Sequence, residues 1–447
     1  MKIVLGYDAG MVKQDRKVPI VWDSERLING HVLLVGKSGT GKTFTLKRMV
    51  SQLQRQSRGT FRVHVMDVHG DIDLDGASTV KFSESTQYGF NPLMINPDPD
   101  FGGVRKRIQY FMAAVNRTSR KLGTKQESVL RNILQDLYSA NGFIDGKSET
   151  WKLDDGVSRK YPKKHPTLED AYKFAQFKLK SMFLGTSSKA VVSLETLNKK
   201  TAQLYSKQKN AMKAANLSAD EKEKADADLK KIGEECVSLY YDYVQSIQTG
   251  MELNDLIKYD SKEVMKSVVE RLENLNAIGI FKPVPPPFDT DAPVWRYDIK
   301  ALSPDEKKLF VAFMLENIYM KAVQRGVQSD VVEVIIIDEA HNFLNDEPDN
   351  IINIIAKEAR KFGVGLFCAS QSPTHFSDDF ISNVSTKIIL GIDQMFWDGS
   401  VRKLKIEQPS LEWIVPHQQM VVQMNNKGET RNKFMWVLLK DPSQGAG

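Results

Sequence analysis

The run Gly36-Lys37-Ser38-Gly39-Thr40-Gly41-Lys42-Thr43 constrains this chain more than any other stretch. Ahead of it His31-Val32-Leu33-Leu34-Val35 is a short, β-branched apolar segment, and behind it Phe44 to Val50 has helical spacing. A loop of the form GxxxxGK[ST] between a strand and a helix is a phosphate cradle. Its glycines let the main chain come close, while the N–H groups of Ser38 to Thr43 and the positive end of the following helix face the anion. Lys42 is placed to reach the β and γ phosphates and Thr43 to set its hydroxyl on Mg²⁺, so Gly36 through Thr43 read as a site for ATP-Mg²⁺. Arg62-Val63-His64-Val65-Met66-Asp67 follows the helix as a second strand, which gives a βαβ unit and a parallel sheet.

Hydrolysis needs a carboxylate at the end of a neighbouring strand to hold the metal and its water, and a base to polarise the attacking water. Val331 to Ile337 is a largely apolar run suited to a strand covered on both faces, and Asp338-Glu339 ends it. Asp338 is therefore the expected metal ligand, with Thr43, and Glu339 the expected general base. Lys42 and Asp338 stand 296 positions apart, far more than a minimal phosphate-loop core requires. The residues between them must include an insertion.

That insertion is helical. Apolar residues recur every three or four positions through Ile108 to Val115, Val129 to Tyr138 and Leu168 to Phe183. A Lys, Glu and Ala-rich tract over 194–247, broken near Ala215 to Ser218, predicts two long antiparallel helices, with Ser218 and Glu221 as a capping box. Pro283 to Pro287 turns the chain back toward sheet, and Val294 to Ile299 is the next strand. Ser303-Pro304-Asp305-Glu306 opens a helix to about Arg325. A helix over Ile351 to Phe362, strands at Val364 to Ala369 and Lys387 to Leu390, and a hairpin of Met420 to Met424 with Phe434 to Leu439 complete the core. The expected fold is an α/β RecA-like phosphate-loop core with a mainly parallel sheet, residues 1–101 joined with 276–447, and an all-helical domain over 102–275.

The 447 residues, 41% hydrophobic and 26% charged, are those of an ordinary globular chain. No stretch has the length of apolar sequence that a spanning helix needs, and the first residues lack a signal-peptide core, so a cytoplasmic protein is expected, reaching membranes only through partners. Cys236 and Cys368 are the only cysteines, which leaves neither a disulfide framework nor a zinc cluster. A net charge of +6 permits a polyanionic partner without demanding one. Arg105-Lys106-Arg107 and Arg117 to Lys121 are local basic runs suited to phosphate backbones or to solvated helix faces.

Further stretches resemble the HerA and FtsK superfamily of ring-forming translocases, and within it the ATPases of conjugation and type IV secretion and the coupling proteins. They are Asn29-Gly30-His31, Asp67-Val68-His69-Gly70-Asp71, Phe90-Asn91-Pro92-Leu93, Pro166-Thr167-Leu168-Glu169-Asp170, Asp338-Glu339-Ala340-His341, and Glu358-Ala359-Arg360-Lys361-Phe362-Gly363 leading to Ala369-Ser370-Gln371. HerA proteins usually carry a β-barrel ahead of this core and secretion ATPases a larger N-terminal domain, whereas Gly36 here stands close to the first residue and no such barrel is expected. The resemblance implies that Gln371 senses the γ-phosphate, and that Arg360 is an arginine finger inserted into a neighbouring subunit, with pairing to Asp346 or Asp349 as the structural alternative. It also implies a homo-hexameric ring that moves double-stranded DNA. Two alternatives remain: an assembly or secretion ATPase that docks protein partners on its helical domain, and a regulatory ATPase partnered with a nuclease.

Overall fold

The computed structural model describes residues 1–56, 61–118, 121–153, 163–184, 188–213, 219–245, 258–259, 261–344, 350–429 and 432–439. The chain divides into two compact units, one of Met1–Asn91, Arg117–Ser119 and Ile278–Gly447, the other of Pro92–Asn116 and Arg120–Ala277.

The first unit is built on a sheet of eleven strands in the order β2-β1-β11-β10-β9-β3-β8-β7-β4-β6-β5. These are β1 (Lys2–Asp8), β2 (Pro19–Asp23), β3 (Val32–Gly36), β4 (Arg62–Asp67), β5 (Ser78–Lys81), β6 (Val294–Asp298), β7 (Glu333–Ile337), β8 (Val364–Ser370), β9 (Thr386–Gly391), β10 (Gln419–Met424) and β11 (Met435–Leu438). From β9 to β5 every pairing is parallel, and from β9 outward through β10, β11, β1 and β2 every pairing is antiparallel. β3, β7 and β8 are buried at every position, as their largely apolar runs suit in central parallel strands.

The helix Lys42–Gln56 buries Leu46, Met49, Val50 and Leu53, spaced three and four apart, in the core that also takes Val32, Leu34, Val63, Val65 and Ile336. Ser303 and Glu306 form a reciprocal capping box with Pro304 at the first turn of Pro304–Arg325. The stretch expected as one helix to Phe362 stops at Glu358 and tightens into a 3₁₀ turn, Ala359–Phe362, which Gly363 closes at φ +71°. β1, β2 and β5 are strands that the sequence reading did not place.

Where the chain leaves and re-enters this unit, its two segments lie side by side. The Phe90 amide donates to the Ile280 carbonyl at 3.1 Å, the Gly89 amide to Val284 at 2.9 Å, and the Phe90 and Phe281 rings meet edge to face at 5.2 Å. A Cβ on Gly89 would stand 2.1 Å from the Ile280 carbonyl oxygen, so this approach needs glycine.

The second unit is helical among its described residues: Val104–Thr118, Thr124–Ala140, Leu168–Leu184, Ser188–Lys213, Ala219–Gln245 and Lys262–Ala277. Ile108, Phe111, Leu130, Ile133, Leu137, Ala171, Met265, Val268 and Leu272 are buried, and Tyr138 donates its hydroxyl to the Leu93 carbonyl at 2.7 Å. Lys200 meets Glu235 at 2.5 Å and Lys207 meets Asp228 at 3.0 Å. One partner number rises as the other falls, so Ser188–Lys213 and Ala219–Gln245 run antiparallel. The Ser218 box lies outside the described residues.

Candidate active site

In an open parallel sheet the groove at the carboxyl ends of the strands is where a ligand sits. β8 lies between β3 and β7, so three neighbouring strands deliver Gly36, Ser370 and Ile337 to that edge. Gly36 gives way to a loop in which Gly39 and Gly41 have φ of +78° and +93°, a region that glycine alone enters freely. A Cβ at Gly36 would lie 2.3 Å from Thr40 Oγ1.

Lys42, the first residue of its helix, is buried, and its Nζ donates to the Gly36 carbonyl at 2.8 Å while standing 3.7 Å from Glu339 Oε1. Glu339 is buried too, with a left-handed backbone at φ +46° and ψ +47°. Such a conformation costs a non-glycine residue about 1–3 kcal/mol and persists only where the surroundings over-determine it. Its Oε2 lies 3.3 Å from His341 Nδ1 but accepts no hydrogen bond among the described residues. An acceptor held buried with an open lone pair is what a base for a water proton requires.

Asp338, one residue earlier, is pushed up to about 6 by burial, then by the neighbouring Glu339 and Asp71 charges, with His69 opposing. Its carboxylate gathers with those of Asp67 and Asp71, all within 4.8 Å of one another. Asp67 is already committed: it accepts from the Gly70 and Ile72 amides at 2.7 and 3.0 Å and pairs with Arg296 Nη2 at 2.7 Å. Asp71 is exposed and lies 3.5 Å from Thr43 Oγ1. Oxygen donors with an uncompensated charge at Asp338 fit a hard divalent cation such as Mg²⁺.

Thus Gly36 through Thr43, Asp338 and Glu339 come together, and Gln371, exposed, follows the end of β8 between them. Arg360 does not join them. It lines a cleft of about 360 Å³ with Asn29 and Gly30, at the amino end of β3, and it helps to lower the pKa of buried His31. β8 separates its turn from Gln371 by seven residues, roughly 23 Å of strand. Asp346 and Asp349 lie outside the described residues.

Sequence reasoning passed over several neighbours of the site. Ser370 Oγ links His341 Nδ1 at 3.3 Å and His375 Nδ1 at 3.1 Å, and His417 reaches the loop at Gly39 from 378 positions away. Asp71 was visible only as part of a family-like stretch. So were His341 and Ser370, whereas His375 and His417 lay in no such stretch, and His417 owes its place to a contact 378 positions along the chain.

The family model described as the central domain of the helicase HerA matches residues 7–318. The chain belongs to this family. A probable helicase of Methanocaldococcus jannaschii is 30% identical over 154 residues, covering 30% of this chain and 29% of that protein. The DNA double-strand break repair helicase HerA of Pyrococcus furiosus is 44% identical over 63 residues, covering 13% of this chain and 11% of that one. The matched stretches thus span under a third of these relatives' length. VirB4 of Thermoanaerobacter pseudethanolicus superposes with a TM-score of 0.57 over 99% of this chain and 97% of that one, at 14% identity, which establishes a shared RecA-like fold.

Proposed function

We propose that this chain is the ATP-hydrolysing core of a nucleic-acid motor. Gly36 through Thr43 hold the triphosphate, with their amides and the Lys42 ammonium opposing its charge. Thr43 and Asp338 would hold Mg²⁺, with Asp71 within reach of its water shell, and the ion supplies Lewis-acid stabilisation of the phosphoryl oxygens. Glu339 takes a proton from the attacking water, and Gln371 reports the γ-phosphate to β8. The single observation that carries this reading is the buried approach of Lys42 to Glu339, 3.7 Å apart, at the ends of β3 and β7.

Arg360 then serves the nucleotide of a neighbouring copy. Its position at the amino end of the sheet keeps it from its own phosphate loop and supports a head-to-tail ring, which we take to be a homo-hexamer. Double-stranded DNA is the proposed substrate, on family membership. ATP turnover measured with and without duplex DNA tests the reading, and the DNA assignment falls if turnover is indifferent to duplex.

One observation favours a protein cargo instead. On Ala219–Gln245, Val237, Tyr240, Tyr241 and Val244 recur at helical spacing and are 70, 57, 63 and 45% exposed, an apolar stripe that suits a partner helix better than a phosphate backbone. Loss of a partner on Tyr240→Asp, with ATP turnover kept, would favour that reading over DNA.

A further inference from the structure

Ahead of β10 the chain turns at Val415-Pro416-His417-Gln418, where the Gln418 amide donates to the Val415 carbonyl at 3.1 Å. Pro416 and His417 are its central residues, and His417 has φ +63°. A turn with proline first and a left-handed residue second is one that glycine completes without strain, since an L side chain there crowds the backbone. Histidine in that place is kept against a cost, and such residues cluster where function over-determines them.

His417 is exposed, and what it reaches is the phosphate loop. Its Nε2 lies 2.9 Å from the Gly39 carbonyl oxygen, and because a carbonyl only accepts, Nε2 carries the hydrogen. A Cβ at Gly41 would stand 3.0 Å from Nδ1 of the same ring. One imidazole therefore spans the two loop residues with positive φ, Gly39 and Gly41. The turn is itself anchored: the Gln419 amide donates to Val415 and the Leu439 amide to Gln418, each at 2.9 Å, and Trp413 stacks on Trp436 with centroids 4.9 Å apart.

We propose that His417 is a nucleotide-positioning residue, bracing the apex of the phosphate loop from the turn ahead of β10 so that the loop's amides stay converged on the phosphates. This rests on the reading of Gly36 through Thr43 as an ATP site. Three glycines give the loop wide conformational freedom, and without a brace the cost of ordering it falls on nucleotide binding. The loss belongs to affinity and KM, because Lys42 and Glu339 keep their places for the chemical step.

His417→Gly separates this role from one in the fold, because it relieves the turn while removing the brace. Its melting temperature without nucleotide should equal or exceed that of the native chain. Its Kd for ATP-Mg²⁺ should rise on the order of ten-fold, the size of one hydrogen bond with the loop order it maintains, with kcat nearly unchanged. His417→Gln, which returns an N–H donor, should recover much of the affinity. Native affinity in His417→Gly, a melting temperature that falls together with affinity, or a His417→Gln variant as weak as His417→Gly would each overturn the inference. Native chain and Lys42→Ala run alongside keep the two readings apart: if the native chain binds no ATP, the parent reading has failed, whereas if it binds and only the His417 variants are indifferent, this one has.

Discussion

Lys42 and Glu339 approach each other across β8, yet removing them has different consequences. Lys42→Ala deletes a charge that opposes the β and γ phosphates and should lose tight ATP-Mg²⁺ binding. Glu339→Gln keeps the cradle and the metal ligands and should bind ATP with turnover reduced at least about 10²-fold, the lower range for a lost general base. Nucleotide titration and steady-state turnover on both variants check this, and a fully active Glu339→Gln contradicts the base. His31 gives a pH prediction. Burial, with Arg360 nearby, lowers it from 6.5 to about 4, so between these values the unfolded chain takes up a proton that the folded chain refuses. The stability this represents is present above about 6.5 and is lost as pH falls toward 4, on the order of 3 kcal/mol in all. Urea unfolding from pH 7 to 4 should show the native chain losing that much more than His31→Asn, and parallel losses would contradict it. At this scale the motif residues were legible because their spacing is local. The contacts of Asp71, Ser370 and His417 were not, since the folded sheet brings Asp71 to Asp338 and His417 to Gly39 across hundreds of positions, and sets Ser370 between His341 and His375.

The strands that carry the site were the legible elements: β3, β7 and β8 are largely apolar because both faces are covered, and Ser303 with Glu306 marks its helix start by chemistry alone. β1, β2 and β5 sit at or beside the sheet's antiparallel margin or its far edge and mix exposed with buried positions, so their patterning is weak. That β8 falls between β3 and β7 also has no local signature, although it decides which strand ends meet. The 3₁₀ turn Ala359–Phe362 is held by the Gln328 amide on Lys361 at 2.9 Å and by Arg325 Nη2 on Phe362 at 3.2 Å, a firm mount for Arg360. If Arg360 acts across an interface, Arg360→Ala should cost roughly 10³-fold in turnover with ATP binding kept, and Lys should not rescue it, since a point charge lacks the planar fork. Mixing Arg360→Ala with Glu339→Gln chains should restore activity where an intact Glu339 faces an intact Arg360. Mixed assemblies as inactive as either parent would contradict a role in trans.

At the scale of the whole molecule, an insertion was required by the distance between Lys42 and Asp338, and its helical character by the periodicity of the middle. The unit Pro92–Asn116 and Arg120–Ala277 packs a helical core of its own, and the parallel pairings of the sheet are made within the other unit. Among the described residues neither unit carries a constellation that reads bases. DNA, if it is the substrate, is held through its phosphates, and duplex affinity should drop on the order of ten-fold or more between low and moderate salt, with little sequence preference. A filter or anisotropy titration across salt checks this, and affinity indifferent to salt would contradict it. The most direct test of the account is steady-state ATP hydrolysis by the native chain at low salt, with and without duplex DNA, beside Glu339→Gln. The account predicts hydrolysis by the native chain that rises with duplex and almost none by Glu339→Gln under either condition. A native chain that does not hydrolyse ATP, or one whose rate duplex DNA leaves unchanged, would contradict it.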